Sequence, residues 1–172
     1  ILKPRQDKEI KIICNSQDVP CDHTNLAYRS AKLLQDKFAP HKGVEIKIIK
    51  RIPVGAGLGG GSSNAATALL GLNKLWRLKL TLAQLLNLAR VIGSDVGFFI
   101  YNCPFAWGSG RGDRITPLKS LNNLRLWHIL VAPKIKVSTP FIYKQWDRCS
   151  RDEKIKLTPH LWTHSRISKK PE

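Results

Sequence analysis

Apolar and charged residues alternate along Glu9-Ile10-Lys11-Ile12-Ile13-Cys14 and again along Val44-Glu45-Ile46-Lys47-Ile48-Ile49-Lys50. A period of two lays one face of an extended chain on a core, so both segments are predicted as strands. The opening residues from Ile1 also read as a strand. Between the two alternating segments the period changes. From Asn25 onward Leu26, Ala27, Ala31, Leu33, Leu34 and Phe38 recur at helical spacing, and Pro40 with Gly43 ends the run. Strand, helix and strand thus lead into a glycine-rich stretch.

Beyond that stretch a helix is predicted over Asn64–Trp76. A second begins at a Thr81 cap, carries Leu82, Leu85, Leu86, Leu88 and Ala89, and closes at Gly93. Val96–Tyr101 is apolar and aromatic, fit for a buried turn and strand. Phe105–Trp107 and Leu126–Val131 read as further strands. Past about residue 146 the sequence turns polar and basic, with Pro159 and Pro171, and little definition is expected. The pattern describes a two-layer α+β fold, an antiparallel or mixed sheet covered by helices.

A length of 172 residues suits one core of ordinary size. No apolar run reaches the ~18 residues of a membrane span, and Ile1-Leu2-Lys3-Pro4-Arg5 has no signal-peptide pattern. A bacterial cytoplasmic location is expected, with a plastid stroma as the alternative. Cys14, Cys21, Cys103 and Cys149 lack metal-ligand spacing and read as reduced structural thiols, while His160 and His164 read as a solvated face, so no metal site is predicted in the chain. With no methionine in it, the chain is expected to be a piece of a longer protein. The net charge of +17 is spread along the chain without a basic run flanked by aromatics. Such a diffuse excess suits attraction of anionic nucleotides by a general field, and neither a nucleic-acid nor a membrane partner is expected.

The chemistry concentrates in Pro53-Val54-Gly55-Ala56-Gly57-Leu58-Gly59-Gly60-Gly61-Ser62-Ser63-Asn64, where five of the seven residues from Gly55 to Gly61 are glycine. Glycines pack nothing and let backbone approach a ligand closely. Ser62, Ser63 and Asn64 offer N-cap side chains to the helix that follows, so free N–H groups and the positive end of a helix dipole meet the loop. That combination holds phosphate. A Walker A loop is ruled out, since Gly61 stands where the lysine belongs. A dinucleotide fingerprint lacks its acidic residue about twenty positions on.

The full string resembles the phosphate loop of the GHMP small-molecule kinases. The similarity extends to Asn25–Ala31, Lys50–Pro53, Ile92–Phe99, Gly108–Asp113 and Val137–Pro140, in the family's order and over roughly residues 9–145. The resemblance implies the left-handed β-α-β fold of ribosomal protein S5 domain 2. It also implies an ATP-binding domain over 1–133 and the start of a second domain over 134–172. The expected reaction is transfer of the γ-phosphate of ATP, with Mg²⁺, to a hydroxyl of a small molecule, a cytidylyl methylerythritol. A GHMP kinase of homoserine or mevalonate type is the near alternative. An S5-like RNA-binding module, whose binding would fall steeply with salt, is the alternative of another class.

Residues Pro53, Val54, Gly55, Ala56, Gly57, Leu58, Gly59, Gly60, Gly61, Ser62, Ser63 and Asn64 are then expected to wrap ATP. Asn25, Lys50 and Asn64 match positions near adenine and ribose, with Lys50 equally readable as an exposed strand residue. Asp95, the only acid between residues 46 and 112, stands in an apolar setting where a carboxylate must be paired or functional. The resemblance makes it the catalytic and substrate-facing carboxylate. Tyr143 matches the aromatic position that stacks on cytosine, and Asp113 serves a turn. The family's lysine partner for the aspartate would lie ahead of Ile1, so the chain alone is not expected to turn over substrate.

Overall fold

The computed structural model describes residues 1–131 and 138–149. Its three-stranded sheet contains β1 (Leu2–Arg5), β2 (Ile10–Cys14) and, after helix α1 (Leu26–Phe38), β3 (Gly43–Ile48). The order is β1-β3-β2, with β3 antiparallel to β1 and parallel to β2. Parallel neighbours need a crossover, and α1 supplies it. The alternation read from sequence sorts as expected: Ile12, Val44, Ile46 and Ile48 are buried while Lys11 and Lys47 are exposed. Gly43 opens β3 because a Cβ there would collide with the Asp7 carbonyl oxygen and lie 2.8 Å from that of Glu9.

Helices form the second layer. Asn25 caps α1: its Oδ1 accepts the Ala27 N–H at 2.9 Å and its Nδ2 donates to the Pro20 carbonyl at 2.7 Å. α1 packs against α2 (Gly60–Leu75), and buried Ala27 and Ala31 on one helix with Ala65 and Ala68 on the other admit a close approach. Leu34, Leu69 and Leu72 are fully buried, each stabilising the fold by ~1.5–3 kcal/mol. α3 (Leu82–Ile92) begins where expected, with Thr81 and Gln84 forming a reciprocal capping box. The turn before it is tied by Asn73, whose Nδ2 donates to the Leu80 carbonyl at 3.0 Å and whose Oδ1 accepts the Leu80 N–H at 2.9 Å.

Three expectations are corrected. Val96–Tyr101 forms helix α4 rather than turn and strand, because Val96 and Ile100, four apart, both turn into the core. A short apolar run fits either geometry, and packing against α2 and α3 decides. α2 begins at Gly60, four residues before the expected start. Leu126–Val131 is no strand: no described segment pairs with it, and Trp127 is 101% exposed. Without a ladder partner its backbone groups remain with water. The strand expected around Ala106 does form, as β4 (Ala106–Ser109), paired with β5 (Arg114–Pro117) in a hairpin followed by a short 3₁₀ turn at Lys119–Leu121.

The chain divides into two compact units, Ile1–Ala132 and Pro133–Glu172. In the second, α5 (Thr139–Arg148) is capped by Ser138, whose Oγ accepts the Phe141 N–H at 3.3 Å. His160, His164, Pro159 and Pro171 lie outside the described residues. Among those described, no helix is long and apolar enough to cross a membrane.

Candidate functional site

Gly55, Gly57 and Gly59 have φ of +72°, +70° and +64°, a region that side-chain-bearing residues rarely adopt. They turn the loop, exposed over residues 53–58, back to the start of α2. Gly59 is the N-cap residue and offers no side-chain cap; its carbonyl accepts the Ser63 N–H at 2.8 Å. The expected serine and asparagine caps are therefore corrected: Ser62, Ser63 and Asn64 are already inside the helix. The reason is the left-handed backbone at Gly59, which starts the helix early and leaves the first N–H groups without intrahelical acceptors. A loop that approaches a phosphate needs this exposure more than it needs a cap.

Two glycines are held by neighbours. A Cβ at Gly59 would lie 2.8 Å from Phe99 Cζ, and one at Gly60 would lie 2.6 Å from Lys50 Nζ. At Gly57 a Cβ would meet nothing within 4 Å, so that side of the loop is open. The two serines differ. Ser63 Oγ donates to the Gly60 carbonyl at 3.0 Å, whereas the Ser62 hydroxyl has no partner among the described residues.

Opposite the loop, Asp95 precedes α4. It was expected to be a carboxylate in an apolar setting, but Val96, Phe98 and Phe99 turn toward protein while Asp95 is exposed. Its side chain caps nothing and has no partner among the described residues. Burial therefore does not explain it. Gly57, Leu58 and Gly59, Asp95, Phe98 and Phe99, and the β4–β5 hairpin at Ala106, Gly108, Gly112 and Ile115 together line one cavity of about 340 Å³. Phe98 and Phe99 meet edge to face with centroids 5.4 Å apart, which stiffens the wall.

The hairpin wall was not foreseen, although Gly108–Asp113 stood out as a block. Its turn uses Gly110 and Gly112 at φ +67° and +82°. Asp113 Oδ1 accepts the Arg111 N–H at 3.3 Å. Partial burial pushes the Asp113 carboxyl up, yet hydrogen bonds from the backbone N–H groups of Asp113 and Arg111 and the charge of Arg111 hold it below its ordinary value.

Of the other expected site residues in the first unit, Asn25, Lys50 and Asn64 do not line this cavity. Asn25 spends its amide on the α1 cap. Asn64 lines a separate cavity of about 150 Å³ with Ala27, Ile48 and Thr67. Tyr143 lies on α5, 66% exposed. A larger cavity, about 570 Å³, lies over β2 and α1 and is lined by Arg5, Lys8, Lys11 and Lys32 among others. Its cations are partly engaged: Arg5 pairs with Asp7 and Glu9, and Lys32 bonds Asp36 at 2.7 Å. It has neither a glycine loop nor an unengaged carboxylate. Among the described residues no three His, Cys, Asp or Glu form a metal-holding group.

The chain is similar to known proteins over most of its length. Residues 25–103 match the GHMP kinases N terminal domain. The 4-diphosphocytidyl-2-C-methyl-D-erythritol kinase of Geobacillus sp. is 48% identical over 159 residues, covering 92% of this chain and 52% of the relative. That of Thermosynechococcus vestitus is 48% identical over 146 residues, covering 84% and 46%. A crystal structure of 4-(cytidine 5'-diphospho)-2C-methyl-D-erythritol kinase superposes with a TM-score of 0.62 at 34% identity, over 84% of this chain and 49% of that one. Homoserine kinase from Cytophaga hutchinsonii shares the fold at a TM-score of 0.54 and 19% identity. The chain spans about half the length of the curated relatives it matches.

Proposed function

We propose that this chain, whose residues 25–103 match the GHMP kinases N terminal domain, is the ATP-binding part of a kinase of that family that phosphorylates the 2-hydroxyl of 4-diphosphocytidyl-2-C-methyl-D-erythritol in non-mevalonate isoprenoid synthesis. The observation that carries this reading is the cavity in which a left-handed glycine loop faces Asp95, a carboxylate with no partner among the described residues, on a chain 48% identical to kinases of that name.

The residues fit a triphosphate. Gly57 and Gly59 leave room where a Cβ would be strained, the α2 N-terminus aims unpaired N–H groups at the loop, and Ser62 adds a hydroxyl. ATP, when bound, supplies the γ-phosphoryl group and leaves as ADP. Mg²⁺ belongs to the proposal through the phosphates themselves, since that ion is commonly held by substrate oxygens and one or two carboxylates. Asp95 accepts a hydrogen bond from the acceptor hydroxyl and takes its proton as the oxygen attacks. Phosphoryl transfer depends chiefly on positioning and charge neutralisation, and a carboxylate in this place orients the alcohol. Phe98, Phe99 and Ile115 keep that side of the cavity apolar and exclude water. Exposed Tyr143 is proposed to stack on the cytosine ring, and a cytoplasmic location, with a plastid stroma as the alternative, belongs to the same proposal.

The test is ADP release with ATP and Mg²⁺ by this chain joined to the flanking segments of the Geobacillus relative. Turnover with the cytidylyl acceptor and none with homoserine or mevalonate is expected. Turnover with homoserine instead would move the chain to another branch of the family.

A further inference from the structure

Strand β2 ends the order β1-β3-β2, and its outer edge has no strand neighbour among the described residues. The Val44 N–H donates to the Glu9 carbonyl at 2.9 Å, with Ile10 in register with Val44. In a parallel ladder successive residues turn their backbone groups to opposite sides. Glu9, Lys11 and Ile13 therefore serve β3, while Ile10, Ile12 and Cys14 turn N–H and C=O outward. Those outward groups have no partner among the described residues. They border a groove: the cavity of about 570 Å³ lies between Ile10–Ile12 and the face of α1 that carries Tyr28, Lys32 and Gln35, spaced i, i+4 and i+7. Gln35, 5% exposed, donates through Nε2 to the carbonyls of Lys8 at 2.7 Å and Lys42 at 2.8 Å. That tie holds α1 to the residues entering β2 and β3, so the groove exists before anything binds, which lowers the cost of binding.

The lining carries four cations, Arg5, Lys8, Lys11 and Lys32, against one carboxylate, Glu9. Lys8 and Lys11 form no ion pair or hydrogen bond through their side chains with any described residue. We propose that this groove docks an extended acidic segment of a partner protein, which adds to the sheet as a strand beside β2 and sets its carboxylates against Lys8 and Lys11. Backbone donors and acceptors alternate along such a segment and satisfy the Ile10, Ile12 and Cys14 groups. A phosphodiester backbone offers acceptors only and leaves the strand carbonyls unpaired. Charge also opposes a second copy, since each chain carries +17 and pairing edge to edge brings the same lysines together. The proposal stands apart from the ATP-binding reading, because none of these residues lines the glycine-loop cavity.

NMR titration and amide hydrogen exchange of the 172-residue chain with a terminally blocked hexapeptide of alternating glutamate and valine test it. Saturable shifts and slowed exchange at the Ile10, Ile12 and Cys14 amides are expected, with the glycine-loop amides unmoved. Lys8→Gln together with Lys11→Gln should weaken the peptide by roughly tenfold or more. Both side chains are exposed and unbonded, so folding is preserved. Lys8→Arg with Lys11→Arg should retain most of the affinity. The same peptide methylated on alternate amide nitrogens keeps its charge but loses strand donors, and should bind about tenfold more weakly. Absence of shifts at the three amides overturns the proposal and leaves the lysines as guards of an unpaired edge. Equal binding of the methylated peptide, or of a thymidine hexanucleotide, overturns it in favour of a general attraction for anions. Slowed exchange at these amides that grows with chain concentration in the absence of peptide overturns it by assigning the edge to a second copy.

Discussion

Gly59 and Phe99 lock the glycine loop to the helix that Asp95 precedes: a Cβ on Gly59 would stand 2.8 Å from the Phe99 ring, at a backbone φ of +64°. The loop and the carboxylate are 36 residues apart in sequence, and this contact joins the two walls of one cavity. Gly59→Val meets both the left-handed strain, worth ~1–2 kcal/mol per residue, and the ring. ATP binding should be abolished while far-UV circular dichroism stays that of a folded α+β chain. Unchanged ATP affinity on calorimetric titration would sink the role given to the loop.

Asp95→Asn should behave oppositely. The side chain caps nothing and is exposed, so neither fold nor ATP affinity should change. Turnover in the protein completed with its relative's flanking segments should fall by roughly 10² or more, as for a lost general base. Near-normal kcat would remove Asp95 from the chemistry.

Much of this arrangement is legible in the sequence. The alternation around Ile12 and Ile46, the helical period from Leu26 and the Thr81 cap are local signals, and each matches its element. The glycine loop is legible because its left-handed turns require glycine. What escapes is decided by tertiary packing. Val96–Tyr101 has too few residues for its period to be read, and α2 and α3 make it a helix. Asp95 reads as buried from its neighbours, but a helix start turns it outward. Gly108 and Gly112 become cavity lining only once β4 pairs with Arg114–Pro117, a strand no sequence signal announced. The closeness of Lys50 to Gly60 joins the stretch after β3 to the start of α2, which a linear motif cannot express.

Stability should be more sensitive to Gly43 than to Gly71. A methyl on Gly43 meets the backbone carbonyls of Asp7 and Glu9, which cannot rotate away. Gly43→Ala should cost ~1–3 kcal/mol, as overpacking does. At Gly71 the methyl meets only the end of the Leu2 side chain, and glycine to alanine gains up to ~1 kcal/mol of helix propensity. Thermal denaturation of the two variants should place Gly43→Ala clearly below Gly71→Ala. The reverse order would contradict the packing at the start of β3.

Acid stability should depend on Asp7. The Arg5 guanidinium, bonding through Nε at 2.7 Å, lowers the Asp7 carboxyl below its ordinary 3.8 despite some desolvation. A folded-state value below the unfolded one contributes stability that is full above 3.8 and is lost as pH falls through the depressed value. The pair is solvent-exposed, so the effect is small and salt-sensitive. Asp7→Asn should flatten the acid limb of a plot of unfolding midpoint against pH. An identical limb would mean that the pair does not persist in solution.

The most direct measurement is amide NMR of the isotopically labelled chain during titration with Mg²⁺-ATP. Two cavities compete, the one beside the glycine loop and the larger basic one over β2 and α1. Saturable shifts at Gly57, Gly59, Gly60, Gly61 and Ser62, with Lys8, Lys11 and Lys32 unmoved, are the expected result. Shifts confined to Lys8, Lys11 and Lys32 while the glycine amides stay in place would contradict the assignment of the glycine loop as the phosphate site.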